Sequence, residues 1–473
     1  MTSFPGLGPS SGFLQSTVWR AALALLVVFV MLAITGWTAI RSTKEDANPL
    51  ATAKNAWRHA TFHGRPLPDP DAAPATVRAF FASLDRAERA QLAHRYPLVV
   101  GNMGGAPVTL RYRANQMAID DARVIEKRRM DDHRLTPVGR QEASRLMHRL
   151  ESLMSPGRQI LAFDPAGDGR AAEVFGDLAT ADRVSVVVPG VDTNLSTFER
   201  TAKATAAPVG MAKSLYEAER AARPGARTAV IAWADYTTPS GLGVEAATGQ
   251  LARAGAVRLR SLVDALPSTD SVSLFCHSYG SVVCGVAARD LPDDVTDIAV
   301  AGSPGMRAGN LSGLGTHARV WAMRDADDWI QDVPYLEVGG LGHGADPVDP
   351  SFGARILSAQ GAAGHAGYFA PGTQSLHNFA LVGVGDLGSV DCAASDPAAA
   401  RTWPDGRPRH RRRPRVRPGA RGRAVPAGTA PAPGDVNRAR VTTGRPGALL
   451  TRVAPVSGRG TGGQPPAYDE PHG

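Results

Sequence analysis

Cysteine is nearly missing from this chain: 473 residues hold only Cys276, Cys284 and Cys392. So small and uneven a set gives neither a disulfide framework nor a thiolate metal cluster. Cys276 and Cys284 are therefore expected to be small buried side chains. Aromatic residues are also few, at 6%, yet hydrophobic residues reach 43%, which excludes a collagen-like or wholly disordered polymer. No phosphate loop or dinucleotide fingerprint occurs, and the DxDG pattern in FDPAGDGRA is too loose for a calcium loop. No cofactor and no metal are expected.

Lysine is absent from Asp391 onward, where fifteen arginines face six acids. This stretch accounts for the net charge of +8, and the rest of the chain is close to neutral. The basic balance is thus no argument for a nucleic-acid-binding domain, and no specific nucleic acid is expected as a partner. Residues 391–473, rich in Arg, Pro, Gly and Ala, have few periodic apolar positions with which to offset chain entropy, so disorder is expected there. Three readings of the tail stay open. It attaches to anionic lipid or wall polymer, it is a solvated extension, or it is a GC-rich gene read out of frame.

Long hydrophobic runs are confined to AALALLVVFVMLAITGWTAI between Arg20 and Arg41. About twenty uncharged residues match a hydrocarbon layer of about 30 Å, so residues 21–40 are expected to form a membrane anchor after an N-terminal tail, 1–20. A cleavable signal peptide is the rival, disfavoured because only Arg20 precedes the run and no clean small-x-small site succeeds it. Arg41, Lys44, Lys54 and Arg58 outnumber Arg20, which taken literally leaves the domain cytoplasmic. A short N-terminal anchor more often exports the domain behind it, and an extracytoplasmic single-pass protein is the expectation.

After a linker, 41–72, residues 73–156 show helical spacing, with Leu146, Leu150 and Leu153 on one face and Thr136-Pro137 as a helix start. From 157 to 390 the pattern becomes eight short β-rich runs, RQILAFD to GARILSAQ, with the last six alternating with mostly helical segments. Near-continuous apolar strands such as VSVVV and AVIAW suit a mostly parallel sheet covered on both faces, whose functional loops follow the strands' carboxyl ends.

The fifth run, SVSLF, leads into Cys276-His277-Ser278-Tyr279-Gly280 and then directly into an apolar helix. A serine at such a strand-to-helix turn takes strained backbone angles, so its neighbours two before and two after must be small. Gly280 meets this fully and Cys276 tolerably, and Ser278 is the expected nucleophile. Two backbone amides are needed for an oxyanion. Tyr279 supplies one, and the turn at Gly190 and Val191 supplies the other, with Val191 the expected donor. His277 is expected to be structural. The acid follows ARVWAM, where Asp325, Asp327 and Asp328 are candidates; Asp328, just before the apolar Trp329-Ile330, is favoured and Asp325 is the alternative. The base follows the last strand, at His365 in GAAGHAGYF. His343 is expected to shape a Gly-rich loop, and His377 to be a half-buried helix residue. The order Ser278, Asp328, His365 is the one the α/β-hydrolase fold demands.

These phrases, together with FFASLDRAERAQLAHRYPLVVGNMGG, VVVPGVDTN, CHSYGS, AGSPGM and GHGADPVDPSFGARIL, resemble the actinobacterial α/β-hydrolase family of unknown function, itself distantly similar to cutinases and lipases. The likeness runs from about Val77 to Gly385 and excludes the anchor and the tail. It implies a serine hydrolase fold and triad but no settled substrate. The expectation is a membrane-anchored, esterase- or lipase-like serine hydrolase acting on a small-molecule or lipid-like ester. The alternatives are a catalytically silent binding module of the same fold at the envelope, and a serine acyltransferase.

Overall fold

All eight β-rich runs become strands of one sheet in the computed structural model, which describes residues 48–267 and 269–396. They are β1 (Ile160–Asp164), β2 (Arg170–Gly176), β3 (Arg183–Val188), β4 (Thr228–Ala234), β5 (Ser271–His277), β6 (Val295–Ala301), β7 (Arg319–Met323) and β8 (Arg355–Ile356). Their spatial order is β8-β7-β6-β5-β3-β4-β2-β1. Strands β3 to β8 run parallel, and β1 and β2 add an antiparallel edge. Alternation along β3 shows why the run is buried on both faces and mostly valine. Val184, Val186 and Val188 enter one buried layer, whereas Val187 enters the layer on the opposite face.

Among the described residues six helices precede the sheet: α1 (Pro49–Arg58), α2 (Pro74–Ala82), α3 (Arg86–Arg95), α4 (Pro97–Asn102), α5 (Val108–Met130) and α6 (Pro137–Leu153). Proline stands in the first turn of α1, α2, α4 and α6, where its missing N–H costs nothing. Thr136 caps α6 as expected, accepting from Gly139 N at 3.1 Å. Trp57, Val77, Phe81, Val99 and Leu110 form a separate core for this region, while Ile119 of α5 and Leu150 and Leu153 of α6 pack against the sheet. The expected linker, 41–72, is corrected in part. Asn48 caps α1, and Trp57 is fully buried with its Nε1 donating to Pro68 O at 2.7 Å. Burying one large apolar side chain is worth about 1.5–3 kcal/mol, enough to hold this stretch to the helical region.

The sheet faces are closed by α7 (Pro208–Ala222) and α10 (Gln374–Gly383) on one side and by α8 (Gln250–Asp264) and α9 (Gly280–Ala287) on the other. Residues 391–396, expected to begin the disordered tail, instead pack on β8, with Ala393 N donating to Ile356 O at 2.8 Å and Asp396 buried beside Arg355. Both the run at 21–40 and the tail from 397 lie outside the described residues. Among the described residues no helix is long and apolar enough to cross a membrane.

Candidate active site

Strand β5 ends at His277 and α9 begins at Gly280, which leaves Ser278 on the turn with φ of 55°, in the left-handed region that ordinary side chains avoid. The turn is tight because α9 passes close beneath β3. A Cβ at position 280 would sit 2.3 Å from Val188 O, so only glycine fits. Cys276 fills the position two before Ser278, but it is not the free buried thiol expected from sequence. It is disulfide-bonded to Cys284 on α9, and both are buried. The strand and the helix on either side of Ser278 are therefore covalently joined. A spacing of eight residues across a strand, a turn and a helix leaves no local pattern from which to foresee this.

His365 lies in the short helical turn Gly364–Ala366, 87 residues downstream, and the fold brings it directly to the serine. Its Nε2 is 2.9 Å from Ser278 Oγ, and its Nδ1 is 2.8 Å from Asp328 Oδ1. Of the three candidate acids only Asp328 faces the imidazole. It is fully buried, and it also accepts hydrogen bonds from Tyr368 Oη at 2.5 Å and Ile330 N at 2.9 Å. Burial pushes its carboxyl upward, but the hydrogen bonds from His365, Tyr368 and Ile330 outweigh it and hold the group below the usual carboxylate range. Asp328 is thus ionised opposite the ring. Asp325 plays a different part. Its Oδ2 accepts from Gly364 N at 2.8 Å, which anchors the turn carrying His365. Asp327 is exposed.

The turn after β3 comes against the serine from the other side. A Cβ on Gly190 would lie 2.6 Å from Ser278 Cβ and 3.0 Å from its Oγ, so this glycine permits backbone to approach the serine hydroxyl. Tyr236 Oη donates to Pro189 O at 2.6 Å, and Asp192 N donates to Pro239 O at 2.9 Å, fixing the turn that contains Val191. Tyr279 stands at the start of α9, where backbone N–H groups and the helix dipole favour negative charge.

His277 does not compete for the serine. Its Nε2 lies 2.6 Å from His365 O, and burial followed by the neighbouring His365 ring pushes its pKa down to about 4. It is neutral at physiological pH and donates to the backbone of His365. His343 holds the 242–249 segment through Ala246 O at 2.6 Å. His377 is exposed on α10, not half-buried, because that helix turns its Phe379 face inward. Two contributors were missed from sequence. Tyr368 braces Asp328, and Gly302, with φ of 55°, sits so close that a Cβ would lie 2.8 Å from Asp328 Oδ2 and 3.1 Å from the His365 ring. The glycine of AGSPG after β6 was a visible signal; nothing in the spacing of Tyr368 marked its partner. Among the described residues no group of three or more His, Cys, Asp and Glu is arranged to hold a metal ion.

A mostly parallel eight-stranded sheet, with buried Ser278 on a tight turn at the carboxyl end of a central strand, has the α/β-hydrolase fold. Residues 164–338 match the family model described as alpha/beta hydrolase. Two uncharacterised proteins from two strains of Mycobacterium tuberculosis are each 27% identical over 405 residues, covering 73% of this chain and 59% of theirs. The chain thus spans about three fifths of the length of the curated relatives it matches. Among solved structures, a predicted CIB-like hydrolase from Thermoplasma acidophilum is 14% identical, covering 49% of this chain and 96% of its own, with a TM-score of 0.30. A serine hydrolase without a lid from Xanthomonas campestris is 17% identical, covering 37% and 74%, with a TM-score of 0.23.

Proposed function

We propose that this hydrolase-fold protein is a serine esterase working by acyl transfer. The observation that carries the reading is the single imidazole of His365, hydrogen-bonded at one nitrogen to Ser278 Oγ and at the other to buried Asp328. His365 Nε2 takes the hydroxyl proton as Oγ bonds to the ester carbonyl carbon, and Asp328 stabilises the imidazolium. The carbonyl oxygen becomes an oxyanion held by the backbone amides of Tyr279 and Val191. Collapse breaks the bond to the alcohol oxygen, which leaves with the proton from His365. Water, deprotonated by the same ring, then releases the acid and restores Ser278. An ester is favoured over an amide because its alkoxide is the better leaving group.

Hydrolysis of soluble p-nitrophenyl butyrate by the full chain tests this. Turnover that falls by about 10⁴-fold or more in Ser278→Ala supports it, since loss of the nucleophile of a serine triad costs on the order of 10⁶ in kcat. Turnover unchanged in that variant rejects it, and product transfer to an added alcohol in preference to water makes the protein an acyltransferase instead. The reading includes the apolar run at 21–40 as an anchor, with the catalytic domain on the outer side of the membrane. The buried Cys276–Cys284 disulfide supports that side, because such bonds persist in oxidising compartments.

A further inference from the structure

Three observations concern the mouth of this site. Nine large hydrophobic side chains are exposed among the described residues, and six of them, Leu242, Val244, Trp329, Leu336, Val338 and Leu341, fall in just two segments. Singly scattered exposed hydrophobes need no explanation, but a concentration of this kind marks an interaction surface. The two segments are joined to each other, since Thr248 and Leu341 form a β-bridge and His343 bonds Ala246 O.

They also border the reacting groups. The first segment follows β4 and is tied to the oxyanion turn, with Gly241 N donating to Asp192 Oδ1 at 2.7 Å. It is tied to the nucleophile turn as well, through Tyr279 Oη donating to Thr248 O at 2.9 Å. The second follows Asp328 itself, and the ring of Trp329, 41% exposed, lies 4.7 Å from that of His365. Beyond it the hairpin Glu337–Val338/Leu341–Gly342 pairs Val338 with Leu341 across its strands, and both are exposed, at 68% and 53%. A water-facing hairpin pair is ordinarily polar, so the pattern is inverted here.

Charge selects the kind of apolar partner. Neither 236–249 nor 325–346 contains a lysine or arginine, while Glu245, Asp325, Asp327, Asp332 and Glu337 are all acidic, the last of them paired with Arg307. Such a rim repels an anionic surface and is compatible with a neutral or zwitterionic one. We infer that the rim of the site seats on a neutral or zwitterionic lipid surface, from which an ester with a long acyl chain enters toward Ser278. This inference rests on the serine-esterase reading and names its substrate class.

The test uses the full chain, so that residues 1–47 and the Arg-rich tail are common to all variants. Soluble p-nitrophenyl butyrate is compared with p-nitrophenyl palmitate dispersed in phosphatidylcholine vesicles. The variant Leu242→Ser, Val244→Ser, Val338→Ser, Leu341→Ser is expected to keep soluble turnover within about twofold and to lose roughly tenfold or more on vesicles, since four aliphatic side chains no longer leave water. The variant Glu245→Lys, Asp332→Lys is expected to gain severalfold on vesicles containing phosphatidylglycerol, a gain that salt removes, and to be unchanged on phosphatidylcholine. Equal rates for the four-serine variant and wild type on vesicles would overturn the inference, as would equal losses on both substrates with an unchanged thermal transition. Absence of the lysine gain overturns the charge argument. If the four-serine variant does not fold, Val338→Ser, Leu341→Ser at the hairpin gives the same comparison. A wild type inert toward the soluble ester defeats the esterase reading itself, whereas soluble turnover without dependence on the rim defeats only this inference.

Discussion

The two halves of the site are held in place by different means. The Ser278 turn is fixed by backbone geometry: the serine in the left-handed region, Gly280 against Val188 O, Gly190 against the serine itself, and a disulfide joining strand to helix. Asp328 and His365, by contrast, sit on loops and are fixed by hydrogen bonds that involve side chains: Tyr368 and Ile330 N on Asp328, Asp325 on the turn of His365, and His277 on its carbonyl. Rigid backbone tolerates almost no added volume, whereas a hydrogen-bonded pair tolerates volume better than loss of a donor or acceptor. The difference predicts which substitutions each half survives.

Replacing the acid attacks the second half most severely. Asp328→Asn is expected to lower kcat by about 10⁴-fold with little change in the thermal transition, as measured on a soluble ester, because the imidazolium loses its counter-charge and the ring its tautomer. A loss under tenfold would break the assignment of Asp328. Adding one methyl attacks the first half. Gly190→Ala is expected to cost at least about a hundredfold in kcat, since the displaced turn moves the reacting oxygen by a fraction of an ångström or more. Unchanged kcat would show that the turn yields and that the backbone account is wrong.

The paired cysteines sharpen the comparison. Cys276→Ala with Cys284→Ala is expected to destabilise by about 2–3 kcal/mol in urea titration, the entropy of so short a loop, and to slow the serine more than it disturbs His365. Tyr368→Phe removes one donor from Asp328 without adding volume, and about a tenfold loss in kcat is expected, with the carboxyl's pKa rising toward its ordinary range.

Away from both halves, burial raises Glu219 on α7 to about 8, where its Oε1 accepts from Ser185 Oγ at 2.5 Å. A folded pKa above the unfolded value of 4.5 means that stability from this group is complete below 4.5 and is lost as pH rises through about 8. Glu219→Gln is expected to flatten the fall in thermal transition over that window. An unchanged slope would place the pH dependence elsewhere.

Which half was legible in the sequence depends on the same physics. The Ser278 turn announces itself locally, because a buried strand, a serine, a glycine two residues on and an apolar helix are all contiguous from Ser271 to Ala287. Asp328 was separable from Asp325 and Asp327 because the apolar Trp329-Ile330 comes directly after it, and Ile330 does bury there and donate to the carboxylate. The supporting groups were not legible, since Tyr368 meets Asp328 across forty residues and neither period nor composition encodes such a meeting. Helix α1 was hidden for another reason. Asn48-Pro49 is a proper helix start, but the short run PLATAKNAWR has few large apolar residues and resembles a linker until Trp57 is seen to be buried.

The most direct measurement is intact-mass and peptide analysis of the full chain after treatment with a fluorophosphonate. The account predicts one adduct per chain, on Ser278, formed at a rate that falls steeply in His365→Ala. No adduct, or an adduct that persists in Ser278→Ala, would contradict it.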